Sequence, residues 1–219
     1  IAFIDEWVKF SKKLNLNLFE IIDSIKKRKT HNNIMLPGLG VGGYCLTKDP
    51  LFAKISQKQI FKKNITSFPI STKAVELNKK MPETSIDFIK ENYKKSFYKK
   101  KILFLGVSYK NEIGDTRHSP SLYLIKKFLS KKAQCFYFDP FVKKLKIKNI
   151  TKINNLKNFK NYDLVIFCVN HIVFNRIKFK RNMIKKNLFI FDLNNVLNFK
   201  QISEINNDKI KIFSLGRNI

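Results

Sequence analysis

Small and flexible residues are scarce in this chain: seven Gly and four Ala in 219 residues, with six Pro, three Cys and one Trp. So little Gly and Pro excludes a collagen-like or low-complexity chain, and three Cys cannot staple a disulfide miniprotein. No apolar run approaches the roughly 20 residues that a membrane-spanning helix needs. The longest, residues 164–169 and 188–191, are the size of strands. A soluble protein is expected. Acidic residues are few as well, 16 against 44 Lys+Arg, giving a net charge of +28. The hydrophobic share of 44% still suffices for a packed core and excludes a wholly disordered chain. The chain opens as Ile1-Ala2-Phe3-Ile4 without an initiating Met or a charged-then-apolar leader, and so reads as a fragment entered within a helix.

The positive charge invites a nucleic-acid reading, because a basic patch is the electrostatic footprint of phosphate binding. Composition offers a simpler cause. Lys (39), Ile (28), Asn (23) and Phe (21) fill about half of the chain while Ala and Arg are depleted, the pattern left by A/T-rich codons. Lys is spread over every segment, whereas specific binders concentrate Arg and aromatics on one face. No nucleic-acid partner is expected. In a chain so poor in Gly, four of the seven lie within residues 38–43 and require a reason.

Apolar spacing over residues 1–28 fits two amphipathic helices broken near residues 15–17. Residues 49–59 read as a short helix and 71–93 as a long one, with a bend expected at Pro82. Beyond Lys99-Lys100-Lys101 the pattern changes. Short apolar runs at 102–107, 135–138, 164–169, 188–191 and 210–213 alternate with helical stretches at 121–131 and 174–185. Such alternation predicts an α/β architecture, a helical region over 1–97 followed by a Rossmann-like parallel sheet domain over 98–219. Strand 102–107 should be central, its carboxyl end facing the loop that holds Cys45, because ligands of such sheets sit at the carboxyl ends of the strands.

Residues 37–50 read PGLGVGGYCLTKDP and contain G-x-G-x-x-G at Gly38, Gly40 and Gly43. A dinucleotide fingerprint would need a preceding buried strand and an acidic residue about 20 positions on; residues 26–33 are polar and basic, and no Asp or Glu lies between Asp49 and Glu76. A nucleophile loop fits better. Cys45 follows flexible glycines, precedes a helix start and has Lys48 three residues on, surroundings that favour an exposed thiolate. Asp49 would face the same side of that first turn, placing a carboxylate beside the nucleophile. Cys135 and Cys168 interrupt apolar strands and read as buried and inert.

This loop resembles the active-site loop of the nucleotide-sugar 6-dehydrogenases, the UDP-glucose, GDP-mannose and UDP-N-acetylhexosamine enzymes. The opening IAFIDE, NKKMP at 78–82, LGVSYKNEIGDTRHSPS at 105–121, YFDPFV at 137–142, DLVIFCVNHIVF at 163–174 and SLGR at 214–217 resemble that family's landmarks in order, across essentially the entire chain. The resemblance implies a central helical dimerisation region and a C-terminal UDP-sugar domain, with the NAD-binding domain and the family's Lys and Asn expected upstream of Ile1. It implies NAD as cofactor, a UDP-sugar as substrate, a homodimer, no metal, and a cytoplasmic role in polysaccharide precursor synthesis. By the same resemblance Cys45 would capture the C6 aldehyde and Asp49 would serve the hydrolytic water. Gly42, Gly43, Tyr109 and Lys110 would hold the UDP-sugar, and Lys48 and Arg117 would meet the cofactor.

There are departures. Tyr44 stands where related loops carry Ser or His, Asp5 replaces a common Asn, and Asn194 or Asn195 falls where the family places an Arg against the substrate. The P-G-x-G-V-G-G-x-C form resembles the UDP-N-acetyl amino-sugar branch and Lys48 the UDP-glucose branch. A non-catalytic UDP-sugar-binding or dimerising module, or one half of a split enzyme, is the competing reading.

Overall fold

The computed structural model describes residues 1–206 and 210–217. Helices α1 (Ala2–Lys13) and α2 (Leu18–Lys26) are separated by Asn15, in the left-handed region at φ 58°, and by Asn17, whose side chain accepts the Phe19 N–H as an N-cap. A 3₁₀ turn at Asp49–Leu51 leads into α3 (Phe52–Phe61). Helix α4 (Pro69–Tyr93) starts on a proline, which needs no N–H there, and runs on through Pro82. Lys94, left-handed at φ 51°, ends it.

The second part is a six-stranded, all-parallel sheet: β1 (Lys101–Leu105), β2 (Gln134–Phe138), β3 (Ile150–Lys152), β4 (Leu164–Phe167), β5 (Phe189–Asp192) and β6 (Lys211–Ser214), in the order β3-β2-β1-β4-β5-β6. Helix α5 (Pro120–Ser130) joins β1 to β2. The chain leaves β1 toward β2 on one side and reaches β4 on the other, so a topological switch point opens at the carboxyl end of β1. Ile102, Phe104, Leu164 and Ile166 pack toward one face, Leu103, Leu105, Val165 and Phe167 toward the other. The first face is covered by α4 and α5. Tyr93 lies edge-on to Phe189 at 4.8 Å between ring centres and Phe88 edge-on to Phe191 at 6.0 Å, so α4 and the sheet share one core.

Two assignments are corrected. Residues 174–185 are not a helix: α6 covers only Ile172–Asn175, and a 3₁₀ turn follows at Arg181–Met183. The buried Phe174, Phe179 and Ile184 recur every five residues, which no helix places on one side. Gln201 Nε2 donates to the Phe174 and Ile177 carbonyls at 2.8 and 2.9 Å, taking acceptors that a continuing helix would have used. Gln201 belongs to α7 (Phe199–Asn206), which the apolar pattern did not indicate. Asn198 and Gln201 cap it reciprocally, each side chain accepting the other's backbone N–H at 2.9 and 3.1 Å.

Among the described residues no helix is long and apolar enough to cross a membrane, and no group of three or more His, Cys, Asp or Glu could hold a metal.

Candidate active site

The glycine loop is fastened to three parts of the chain. Gly38 N–H donates to Asp5 Oδ1 on α1 at 3.4 Å. Asn78 on α4 grips Val41 from both sides, its Oδ1 accepting the Val41 N–H at 2.7 Å and its Nδ2 donating to the Val41 carbonyl at 2.8 Å. Gly43 N–H donates to the Arg117 carbonyl at 2.9 Å, in the loop that follows β1. Two of the glycines permit this approach. A Cβ at Gly42 would stand 2.7 Å from the Tyr109 Cβ, and Gly43, at φ +84°, faces the Tyr109 ring, 2.8 Å from where its Cβ would be. The loop therefore sits on Tyr109, over the carboxyl end of β1.

Neither its setting nor its contacts suit the glycine loop to a dinucleotide. Among the described residues no strand precedes it, and the space that its missing side chains leave is filled by this chain's own Asn194, Met81 and Tyr109.

Cys45 lies two residues beyond Gly43, with an exposed thiol. Its carbonyl accepts the Lys48 and Asp49 N–H groups at 3.1 and 2.8 Å, closing a tight turn. Asp49 opens the 3₁₀ turn but does not cap it; its carboxylate takes the Lys48 ammonium at 2.6 Å. That ammonium also lies over the rings of Tyr44 (4.3 Å) and Phe52 (4.4 Å). Arg117 turns its guanidinium on Asp115, with Nη2 and Nε 2.6 and 2.8 Å from Oδ2, and holds that carboxyl below its usual range. It stands 5.7 Å over Tyr44. Both cations assigned to the cofactor thus meet the exposed Tyr44 beside Cys45, each paired with a carboxylate. Tyr109 is half-buried and Lys110 exposed. Cys135 and Cys168 are buried, their thiols pushed up to about 12 by burial.

Beneath this surface lies a polar cluster that the sequence did not single out. Asp139, 1% exposed at the end of β2, accepts the N–H groups of Val107, Ser108, Phe141 and Val142 at 2.8–3.1 Å, and His171 Nε2 lies 3.2 Å from its Oδ2. Burial works to raise its pKa, but the hydrogen bonds from His171 and the backbone prevail and hold it below the usual carboxylate range. Asn194 is one of the two residues, with Asn195, expected from the resemblance to fall where the family places an Arg. Its Oδ1 fills the space beside Gly38, 2.2 Å from where a Cβ would be, and its Nδ2 donates to the Cys168 carbonyl at 3.2 Å. Asn195 lies next to it, its Oδ1 buried without a partner among the described residues.

Asp5 is a second buried carboxyl at the loop, 4% exposed, its Oδ2 without a hydrogen-bond partner among the described residues. Burial, only partly offset by the Gly38 N–H, raises its pKa from 3.8 to about 6. The native carboxyl then keeps its proton up to about pH 6 while the unfolded one loses it near 4. The native chain binds more protons over that window, so stability falls as pH rises through it, by about 3 kcal/mol. Asp5→Asn should remove this slope and be the more stable form at pH 8; urea unfolding at pH 5 and pH 8 measures both.

Two family models match the chain: the UDP-glucose/GDP-mannose dehydrogenase family, central domain, over residues 1–80, and the UDP binding domain of the same family over residues 103–199. The chain is similar to the UDP-N-acetyl-D-mannosamine dehydrogenase of Methanocaldococcus jannaschii, 29% identical over 225 residues covering 100% of this chain and 48% of the relative. It is 34% identical to that of Campylobacter jejuni over 161 residues, 73% of this chain and 36% of the relative. The crystal structure of the NDP-N-acetyl-D-galactosaminuronic acid dehydrogenase of Methanosarcina mazei superposes with a TM-score of 0.83 at 24% identity, over 100% of this chain and 48% of that one, and shares the fold. The chain thus spans about half the length, or less, of these relatives. With both domains in order, on the fold they require and with the glycine turn seated over the switch point of the sheet, the chain belongs to the UDP-glucose/GDP-mannose dehydrogenase family.

Proposed function

We propose that this chain supplies the thiol loop and the UDP-sugar site of an NAD-dependent dehydrogenase that oxidises the C6 alcohol of a UDP-sugar to a carboxylate, in polysaccharide precursor synthesis in the cytoplasm. One observation carries the reading. An exposed cysteine rides on a glycine turn packed against Tyr109, at the carboxyl end of the central strand where ligands of doubly wound sheets lie. The names of the two sequence relatives favour a UDP-N-acetylhexosamine.

In this reading Tyr109 and Lys110 hold the UDP-sugar, and Gly42 and Gly43, buried against Tyr109, serve the substrate by seating that residue. Cys45 would add to the C6 aldehyde to give a thiohemiacetal, whose loss of a hydride to the nicotinamide and of the hydroxyl proton leaves a thioester, and Asp49 would orient the water that cleaves it and releases the thiol. Lys48 and Arg117 would meet the cofactor, a guanidinium being suited to its pyrophosphate. NAD, when bound, supplies the hydride acceptor. The competing reading is a UDP-sugar-binding module without catalysis, which a dinucleotide-binding domain encoded upstream of Ile1 would overturn.

Calorimetric titration of the chain with UDP tests the shared premise. Saturable binding is expected, weakened about tenfold by Lys110→Ala, since a lysine-phosphate contact contributes roughly 1–2 kcal/mol as a charge-assisted hydrogen bond. No heat at millimolar UDP would overturn both readings.

A homodimer is part of the proposal. Phe3, Trp7, Phe10 and Leu14 form one stripe along α1, 45–67% exposed, with Trp7 tilted against Phe3 at 6.2 Å between ring centres and edge-on to Phe10 at 5.7 Å. The apolar side chains of α4 are mostly buried within the chain. Sedimentation at micromolar concentration should show a dimer that Trp7→Glu dissociates; a monomer in the unaltered chain would count against it.

A further inference from the structure

We propose that His171 is the positioning residue of the substrate loop, its two ring nitrogens fixing residues 108–112 and, through them, Tyr109 against the glycine turn. The inference rests on the reading of Tyr109 and Lys110 as the nucleotide-sugar contact. His171 is wholly buried at the start of α6, between the rings of Phe141 (5.3 Å) and Phe174 (5.6 Å). No chemistry reaches it there. Its hydrogen bonds, however, tie together the carboxyl ends of three strands.

Nδ1 accepts the Glu112 N–H at 3.0 Å and so carries no proton. The proton is on Nε2, which lies 3.2 Å from both Asp139 Oδ2 and Ser108 Oγ. Ser108 in turn donates its own hydroxyl to the Lys110 carbonyl at 2.8 Å. Glu112 needs this support. It is a non-glycine residue at φ 58°, a left-handed conformation costing on the order of 1 kcal/mol or more unless the surroundings hold it. The Nδ1 bond and a second one, from the Ile172 N–H to Glu112 Oε1 at 2.8 Å, lock that turn onto the entry of α6. The Tyr109 N–H donates to the Asp115 carbonyl at 2.9 Å and closes the neck of the turn, so the segment that presents Tyr109 and Lys110 is tied at its base by that bond and held at Glu112, midway along it, by His171.

The two nitrogens have separable roles, which gives the test. Asn at 171 places an amide oxygen near the Nδ1 position and can still accept from Glu112; Gln places its amide group near Nε2 and can serve Asp139 and Ser108 but not Glu112. Hydrogen exchange of residues 109–115 is measured in the chain, together with UDP affinity by titration. His171→Gln should release exchange protection at Glu112 and weaken UDP about tenfold. His171→Asn should retain protection and most of the affinity, whatever its effect on global stability. Urea unfolding of both variants separates loop loosening from loss of fold. Equal protection of the loop in His171→Gln and wild type would overturn the proposal, as would a deprotected loop with unaltered UDP affinity. Failure of the wild-type chain to bind UDP would instead overturn the substrate reading, while the exchange pattern would still decide whether His171 fixes the loop.

Discussion

Cys45→Ser, in the protein that completes this chain, should abolish carboxylate formation while leaving UDP affinity within about twofold of wild type. A hydroxyl near neutral pH is a far weaker nucleophile than a thiolate, and an ester is harder to hydrolyse than a thioester, so both halves of the covalent route fail together. The thiol is exposed on a turn fixed by Asn78 and by the Gly43–Arg117 bond, neither of which involves its side chain. The substitution should therefore leave the loop in place. Asp49→Asn should act later. Its carboxylate faces Lys48 rather than the helix start, which leaves it free of a capping role. Loss of the charge should slow deacylation by roughly the 10²–10⁴-fold typical of a general base. Intact-mass spectrometry under turnover distinguishes the two: an acyl adduct accumulating on Cys45 in Asp49→Asn, none in Cys45→Ser. Wild-type acid production by Cys45→Ser would remove the thiol from the mechanism.

The sequence showed the site more clearly than the supports beneath it, and the reason is distance along the chain. Cys45 stood out because Gly is rare and is concentrated next to it, and Tyr109 through the resemblance of residues 105–121 to the family's landmark. Asn78 and Val41 are 37 positions apart, Asp139 and His171 32 apart. Their pairing exists only once α4 lies across the sheet and β2 and β4 flank β1. Five strands were legible as apolar runs. β3 was not, since Ile150-Thr151-Lys152 is a three-residue edge strand paired with β2 alone and carries no periodicity. Helix α7 had a readable signal, Asn198-x-x-Gln201, but its apolar content is too slight to draw attention to it. Residues 174–185 read as a helix because their Lys, Arg and Met content suits one, while the spacing of their apolar residues does not.

Asp139→Asn should be the most destabilising single-atom change in the sheet domain, and Asp192→Asn much milder, although both carboxyls end strands and both are 1% exposed. At Asp139 the two oxygens receive four backbone N–H groups and the ring of His171 lies beside Oδ2, so the charged form is hydrogen-bonded on every side and its pKa is lowered. An amide replaces one of those oxygens with a donor. It must face either the Val107 and Ser108 pair with His171 or the Phe141 and Val142 pair, leaving at least two buried N–H groups unmet at about 1–3 kcal/mol each. A loss of about 3–5 kcal/mol follows. Asp192 receives only three backbone N–H groups, from Asn194, Val196 and Leu197, and there burial prevails and raises the pKa. Removing its charge relieves desolvation, which offsets the lost acceptor. The pH dependence should separate them too. Because the native Asp139 pKa is depressed, its contribution is present above the unfolded value near 4 and is lost as pH falls through the native one. Asp139→Asn should lose that part of the acid sensitivity, whereas Asp192, with its pKa raised, weakens the fold as pH rises and its Asn variant should gain relative stability toward neutral pH. Urea midpoints from pH 3 to pH 8 give both curves, and equal losses for the two variants at pH 7 would show that burial, rather than the number of donors, governs these carboxyls.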